Sequence, residues 1–243
     1  MWITNAHLIG TDAALAVPQT SQVHLRFDEQ YRLAEISAKM PQHGPVPRID
    51  FQGDFVSLGG VDLQINGALG LAFPDLSEAH GAMLEKIGAF LWTQGIDAYA
   101  PTLVTTASSK VQTALAVLAA YRPRQSLPQA AILGAHLEGP CLNPAKRGAH
   151  PESFLQPLTQ PVLQDLLGEF GNQVCIVTLA PELDPTGTTI AYLRSQQIVV
   201  SLGHSLATDL EAEQAFAQGA TMVTHACNAM PPLHHREPGL LAT

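Results

Sequence analysis

Residues 174–223 read VCIVTLAPELDPTGTTIAYLRSQQIVVSLGHSLATDLEAEQAFAQGATMV. Three short apolar runs, Val174–Leu179, Ile198–Leu202 and Thr221–Val223, alternate with two helical stretches, Thr188–Ser195 and Asp209–Gln218. Runs this short, with little polar alternation, suit strands covered on both faces. Strand, helix, strand, helix, strand in succession predicts a parallel sheet, because parallel neighbours need a long crossover between them.

The same rhythm extends upstream to about residue 56. Further apolar runs are Phe55–Ile65, Ala98–Val104 and Ala131–Leu137, and further helical stretches are Glu78–Thr93, Ser109–Tyr121 and Val162–Phe170. Gly95, Gly171 and Gly219 are placed to close three of the helices. The count is six strands, in a barrel or a doubly wound sheet. Residues 1–55 read differently. Trp2–Leu8, Gln22–Phe27 and Arg32–Ile36 are short and separated by turn residues, which predicts a small β unit, taken as β-sandwich-like. Pro41–Pro47 is a Pro/Gly-rich connector. Residues 56–243 are then the α/β domain.

A chain of 243 residues can bury a sizeable core. Apolar residues make up 46% and charged residues 14%, as in an enzyme with much interior. The net charge of -9 excludes a general nucleic-acid binder, which needs a basic footprint. Cys141, Cys175 and Cys227 form no CxxC pair, so a reducing, cytoplasmic setting is expected. No apolar stretch approaches about 18 residues and the N-terminus has no leader pattern, so neither a membrane span nor a signal peptide is expected.

Polar residues gather just past the expected strand ends: Gln64 and Asn66 after the first, Glu138 after the third, His204 after the fifth, His225 after the sixth. In parallel α/β folds these ends share one face, which is where active sites sit. Two imidazoles and a carboxylate suffice for zinc or a similar ion with a coordination position left open. Each residue taken singly also fits a structural role. Gln64 and Asn66 alternate, so both side chains can share one side of the strand, where neutral amides suit substrate or water better than metal. Lys146-Arg147-Gly148-Ala149-His150 is a basic loop, fit for substrate or for solvent, and Arg236 suits a phosphate or a neighbouring carboxylate. His234 and His235 are adjacent and ill placed to face one ion. No Walker loop, dinucleotide fingerprint or GxSxG elbow occurs, and Cys141 and Cys227 read as small packing residues.

The segments Gly59–Gly67, Ala100–Thr106, His136–Pro140, Leu179–Glu182, Gly203–Ser205 and Thr224–Leu240 occur in an order that resembles the N-acetylglucosamine-6-phosphate deacetylase family of the amidohydrolase superfamily. The resemblance implies a (β/α)8 barrel, here incomplete with about six of eight strands, and an N-terminal β domain, residues 1–55, that is likewise incomplete. It implies hydrolysis of the acetamide of N-acetylglucosamine 6-phosphate to glucosamine 6-phosphate and acetate by a metal-activated water. Glu138, His204 and His225 would hold one divalent ion, zinc or ferrous iron. Ala149, His150, Asn228, Ala229 and Arg236 would contact the sugar phosphate, with Arg236 on the phosphate. Gln64-x-Asn66 stands where many amidohydrolases carry His-x-His, which points to a single metal. A homodimer is a further implication. The family's acid/base aspartate follows an eighth strand, beyond Thr243, so a truncated chain is expected. Without that group an isolated chain would lose a factor of about 10²–10⁴. The alternatives are a non-catalytic remnant that binds metal or sugar phosphate, and a deacetylase for another N-acetyl sugar phosphate such as the galactosamine epimer.

Overall fold

The computed structural model describes residues 1–9, 22–40, 42, 44, 46–123, 128–184 and 186–243. Part of the connector Pro41–Pro47 lies outside them. The chain divides into two compact units, Met1–Gly59 and Gly60–Thr243.

In the first unit, β1 (Trp2–Leu8), β2 (Gln22–Phe27), β3 (Leu33–Ser37), β4 (Arg48–Asp50) and β5 (Phe55–Val56) form one sheet centred on β1. β2 pairs with β1 and β3 antiparallel, while β4 and β5 pair with β1 in parallel. The turn between β2 and β3 is closed by Asp28, whose carboxylate accepts the N–H groups of Gln30 and Arg32, each at 2.9 Å. The described residues therefore make a single sheet rather than two facing layers. β4 and β5 escape sequence reading because two or three residues show no period.

In the second unit, β6 (Gly60–Ile65), β9 (Ile96–Val104), β10 (Ala131–Ile132) with β11 (Ala135–Glu138), β12 (Val174–Leu179), β13 (Val199–Leu202) and β14 (Met222–Val223) form a curled, wholly parallel sheet in that spatial order. A small hairpin, β7 (Gly67–Ala68) and β8 (Leu71–Ala72), follows β6. The crossovers carry α1 (Gly81–Thr93), α2 (Ser108–Ala120), α3 (Gln160–Leu167), α4 (Thr188–Ser195) and α5 (Asp209–Ala217). Six parallel strands are thus present, as the sequence predicts.

Two boundaries differ. The run Phe55–Ile65 is two strands: Phe55–Val56 joins the first sheet and the second begins at Gly60. The run Ala131–Leu137 breaks at Gly134, whose φ of 127° no L-residue adopts easily. One helix also stops earlier than expected. α3 is closed by Gly168 (φ 49°), not Gly171, because Gln112 of α2 donates its amide to the carbonyls of Asp165 and Leu166 and ends the helix from outside.

Within the second unit, alternate strand residues divide between two surroundings. Leu103, Leu137, Val177, Leu179, Val200 and Leu202 join one buried apolar cluster with Leu115 of α2, Leu163 of α3 and Ile190 and Leu193 of α4. Each such side chain contributes about 1.5–3 kcal/mol on burial. The intervening residues, Thr102, His136, Glu138, Thr178 and Ser201, are equally buried but polar. Period-two alternation places them together on the concave side of the sheet. Among the described residues no helix is long and apolar enough to cross a membrane.

Candidate metal centre

His136 and Glu138 lie two apart on β11, so they share the inner face. The Nδ1 of His136 is 2.9 Å from the carbonyl oxygen of Leu63. A carbonyl only accepts, so Nδ1 carries the proton. Burial is the main influence on this imidazole; it lowers the pKa and keeps the ring neutral. Nε2 then accepts from the hydroxyl of Thr178 at 2.7 Å. The Thr178 oxygen in turn accepts from Thr224 at 2.7 Å, and Thr224 accepts from Ser201 at 2.7 Å. A directed chain of hydrogen bonds thus runs beneath the strand ends and ties β6, β11, β12 and β13 to the residue before His225.

Above this chain sits Glu138, 2% exposed. Its Oε1 is 3.2 Å from Nε2 of His204 and 2.8 Å from Nε2 of His225. One ligand atom from each of the three side chains falls within 4.8 Å of the others, the only such grouping among the described residues. Nδ1 of His204 lies 2.8 Å from the carbonyl oxygen of Lys146 and donates to it. That bond sets the ring orientation and leaves Nε2 facing Glu138, the usual arrangement of a metal-ligating imidazole. Burial raises the Glu138 pKa, but the hydrogen bonds from His204 and Gln64 and the nearby His150 and His225 outweigh it and bring the carboxyl down to about 2. His204 moves upward: burial opposes its charge, and its bonds to Glu138 and Lys146 more than compensate.

The backbone here is strained. His204, His225, Cys227 and Ala229 have φ of 50°, 56°, 69° and 50°, the left-handed region that L side chains rarely occupy. Gly203 lets the chain make this bend: a Cβ there would lie 2.9 Å from both Cβ and the backbone oxygen of Thr224. Four such residues within 204–229, two of them in the triad, mark a site whose geometry is fixed by the surrounding fold.

The triad forms one wall of a cavity of about 710 Å³, lined also by Asn66, Lys146, Ala149, His150, Cys227, Asn228 and Ala229 among others. His150 is buried and stands edge-on to His204, ring centroids 4.7 Å apart. Its Nδ1 lies 3.3 Å from the backbone nitrogen and 2.8 Å from the hydroxyl of Thr105, and its Nε2 lies 3.8 Å from Oε2 of Glu138. Burial lowers its pKa, with His204 and His225 adding to the effect against Glu138. Of the sugar-phosphate candidates, Ala149, His150, Asn228 and Ala229 line the cavity, while Arg236 is exposed and is not among the lining residues. Gln64 does not line it either; it donates to Glu138, whereas Asn66 faces the cavity. Cys227 is exposed and lines the wall, contrary to its expected packing role. Cys141 does pack inside and Cys175 is partly buried, and burial pushes their thiols up to about 12 and about 11. His136 was not singled out from the sequence, although its spacing of two from Glu138 on a strand is the signal that finds it.

No protein-family model matches the chain. It is 42% identical over 195 residues to a mouse N-acetylglucosamine-6-phosphate deacetylase, a match covering 79% of this chain and 47% of the mouse protein. It is 31% identical over 214 residues to an N-acetylgalactosamine-6-phosphate deacetylase of Escherichia coli O157:H7, covering 88% of this chain and 56% of that one. Its fold superposes on the crystal structure of N-acetylglucosamine-6-phosphate deacetylase from Pasteurella multocida with a TM-score of 0.76 and 30% identity, covering 99% of this chain and 60% of that one. The chain spans about half the length of the curated relatives it matches.

Proposed function

We infer that this chain belongs to the N-acetylglucosamine-6-phosphate deacetylases and forms the metal-holding part of their active site. The observation that carries this reading is the convergence of Glu138 Oε1 with Nε2 of His204 and of His225 on one wall of the cavity. The donor set fits a divalent ion: one anionic oxygen and two imidazole nitrogens, with the His204 tautomer already set by Lys146. Zinc or ferrous iron suits such nitrogen and oxygen donors. Bound there, the ion would polarise the acetamide carbonyl and acidify a water molecule.

The chain's own residues supply the rest of the site. Gln64 holds the Glu138 carboxylate from β6. His150, kept neutral by burial, brings an imidazole to the cavity wall where it can hydrogen-bond the substrate. Asn66, Asn228 and the Ala149 and Ala229 segments shape the sugar pocket. Lys146 brings a cation to the wall, with Nζ donating to the carbonyl of Met230 at 3.1 Å. Arg236 meets a phosphate only if residues 231–238 carry it toward the cavity when the sugar is bound. Among the described lining residues Glu138 is the single carboxylate, and its oxygens are already engaged by the imidazoles and by Gln64. The base that receives the water's proton therefore comes from outside this set, as the aspartate implied by the family resemblance would.

The substrate we propose is N-acetylglucosamine 6-phosphate. The galactosamine relative makes the C4 epimer the second reading. Calorimetric titration of the zinc-loaded protein with each N-acetyl sugar phosphate, followed by steady-state turnover on both, separates them. Tighter binding and faster turnover of the glucosamine compound are expected; the reverse order overturns the substrate assignment.

A further inference from the structure

Glu182 lies just beyond β12, outside the metal triad and outside the cavity wall. Its half-buried carboxylate nevertheless collects three donors. Oε1 accepts the backbone N–H of Leu206 at 2.6 Å and the side-chain amide of Asn143 at 2.9 Å. Oε2 accepts the hydroxyl of Ser205 at 2.6 Å. Ser205 and Leu206 directly follow His204. Asn143 reaches His204 in two further ways. Its backbone N–H donates to the His204 carbonyl at 2.9 Å. Its side-chain oxygen accepts from Ala145 at 3.0 Å and starts the single 3-10 turn Pro144–Lys146, which ends at the Lys146 carbonyl that receives Nδ1 of His204. One carboxylate thus ties together the segment that forces His204 into its left-handed backbone and the segment that orients its ring.

We propose that Glu182 is a positioning residue for His204, setting the affinity and geometry of the metal centre without touching the ion. This rests on the metal reading given above. The physical reason is specific. A residue at φ 50° relaxes toward ordinary φ unless its neighbours hold it, and Glu182 holds the two residues that follow His204 through charge-assisted bonds. Releasing them lets the His204 imidazole swing away from Glu138. Partners of this kind typically set metal affinity by about 10–100-fold.

The test is zinc affinity, measured by competition with a chromogenic chelator, together with the visible absorption of the cobalt-loaded chain. Five proteins are compared: the parent, Glu182→Ala, Glu182→Gln, Ser205→Ala and Asp184→Asn. Asp184 sits two residues away and caps α4 through Thr189, without reaching His204. It therefore reports what a merely structural loss does. The expected result is a loss of zinc affinity of about 10–100-fold in Glu182→Ala, a smaller loss in Glu182→Gln, which keeps one acceptor, and a cobalt spectrum altered in both. Asp184→Asn should lower the melting temperature and keep parental affinity and spectrum. Ser205→Ala removes one of the three bonds, so it gives a graded, smaller loss if Glu182→Ala does not fold. Parental affinity and spectrum in Glu182→Gln and Ser205→Ala overturn the proposal, as does equal loss in Asp184→Asn. A parent chain that binds no zinc at all instead overturns the metal reading beneath it.

Discussion

Replacing His136 by leucine removes both ring nitrogens while keeping an apolar side chain in the space. The Leu63 carbonyl then loses its 2.9 Å donor and the Thr178 hydroxyl its 2.7 Å acceptor. Each buried polar group left unpaired costs about 1–3 kcal/mol, so the pair predicts a loss of roughly 2–6 kcal/mol. For a chain of this size that lowers the melting temperature by about 10 °C. Because the hydrogen bonds form a directed chain, the loss should couple to its next member. Thr178→Val removes the hydroxyl between His136 and Thr224 without changing shape. The double variant should then be less destabilised than the sum of the singles by about 1 kcal/mol or more. Urea unfolding of the four proteins, with the metal stripped, measures this. Additivity within about 0.5 kcal/mol, or a His136→Leu loss below about 1 kcal/mol, refutes the directed chain.

Other consequences are simpler. The folded Glu138 carboxyl sits at about 2, below its ordinary 4.5. A depressed carboxyl contributes stability fully above its unfolded pKa and loses it as pH falls through the folded value, so the metal-free parent should lose stability between about pH 4.5 and pH 2. Unfolding midpoints across that range should show a shallower fall in Glu138→Gln, and an identical fall would refute the shift. Gly203→Ala drives a Cβ into Thr224 and should cost about 1–3 kcal/mol while weakening zinc binding; a neutral result on both in a melting and chelator assay contradicts the close approach. Iodoacetamide at neutral pH should label Cys227 rapidly and Cys141 and Cys175 slowly, since the latter thiols are pushed up to about 12 and about 11. Peptide mass mapping reads the order, and early labelling of Cys141 would contradict it.

Much of the second unit was legible because local and tertiary signals agree. Val174–Leu179 and Thr188–Ser195 fall where the sequence puts them. In the structure Thr208 and Glu211 form a capping box at the start of α5. Where they disagree, the cause is a contact between segments distant in sequence. Gln112 ends α3 from another helix, and β1 takes Phe55–Val56 from an apparently continuous apolar run. The triad was legible because Glu138, His204 and His225 each sit at a strand end. The chain through His136, Thr178, Thr224 and Ser201 was not: a threonine or serine within a buried strand looks tolerated until its partners are known. Glu182 was visible only as part of a recognised segment, because its work depends on where residues 143 and 205 arrive. The exposure of Arg236 was equally hidden, since sequence gives the residue type and not the path of the 231–238 loop.

Glu138, His204 and His225 carry the metal reading, and equilibrium zinc binding probes them without an intermediary. The purified chain, stripped and titrated with zinc, should take one equivalent, and Glu138→Ala, His204→Ala and His225→Ala should each lose it while circular dichroism shows the fold retained. One equivalent still bound tightly by all three variants, or none by the parent, contradicts the metal centre.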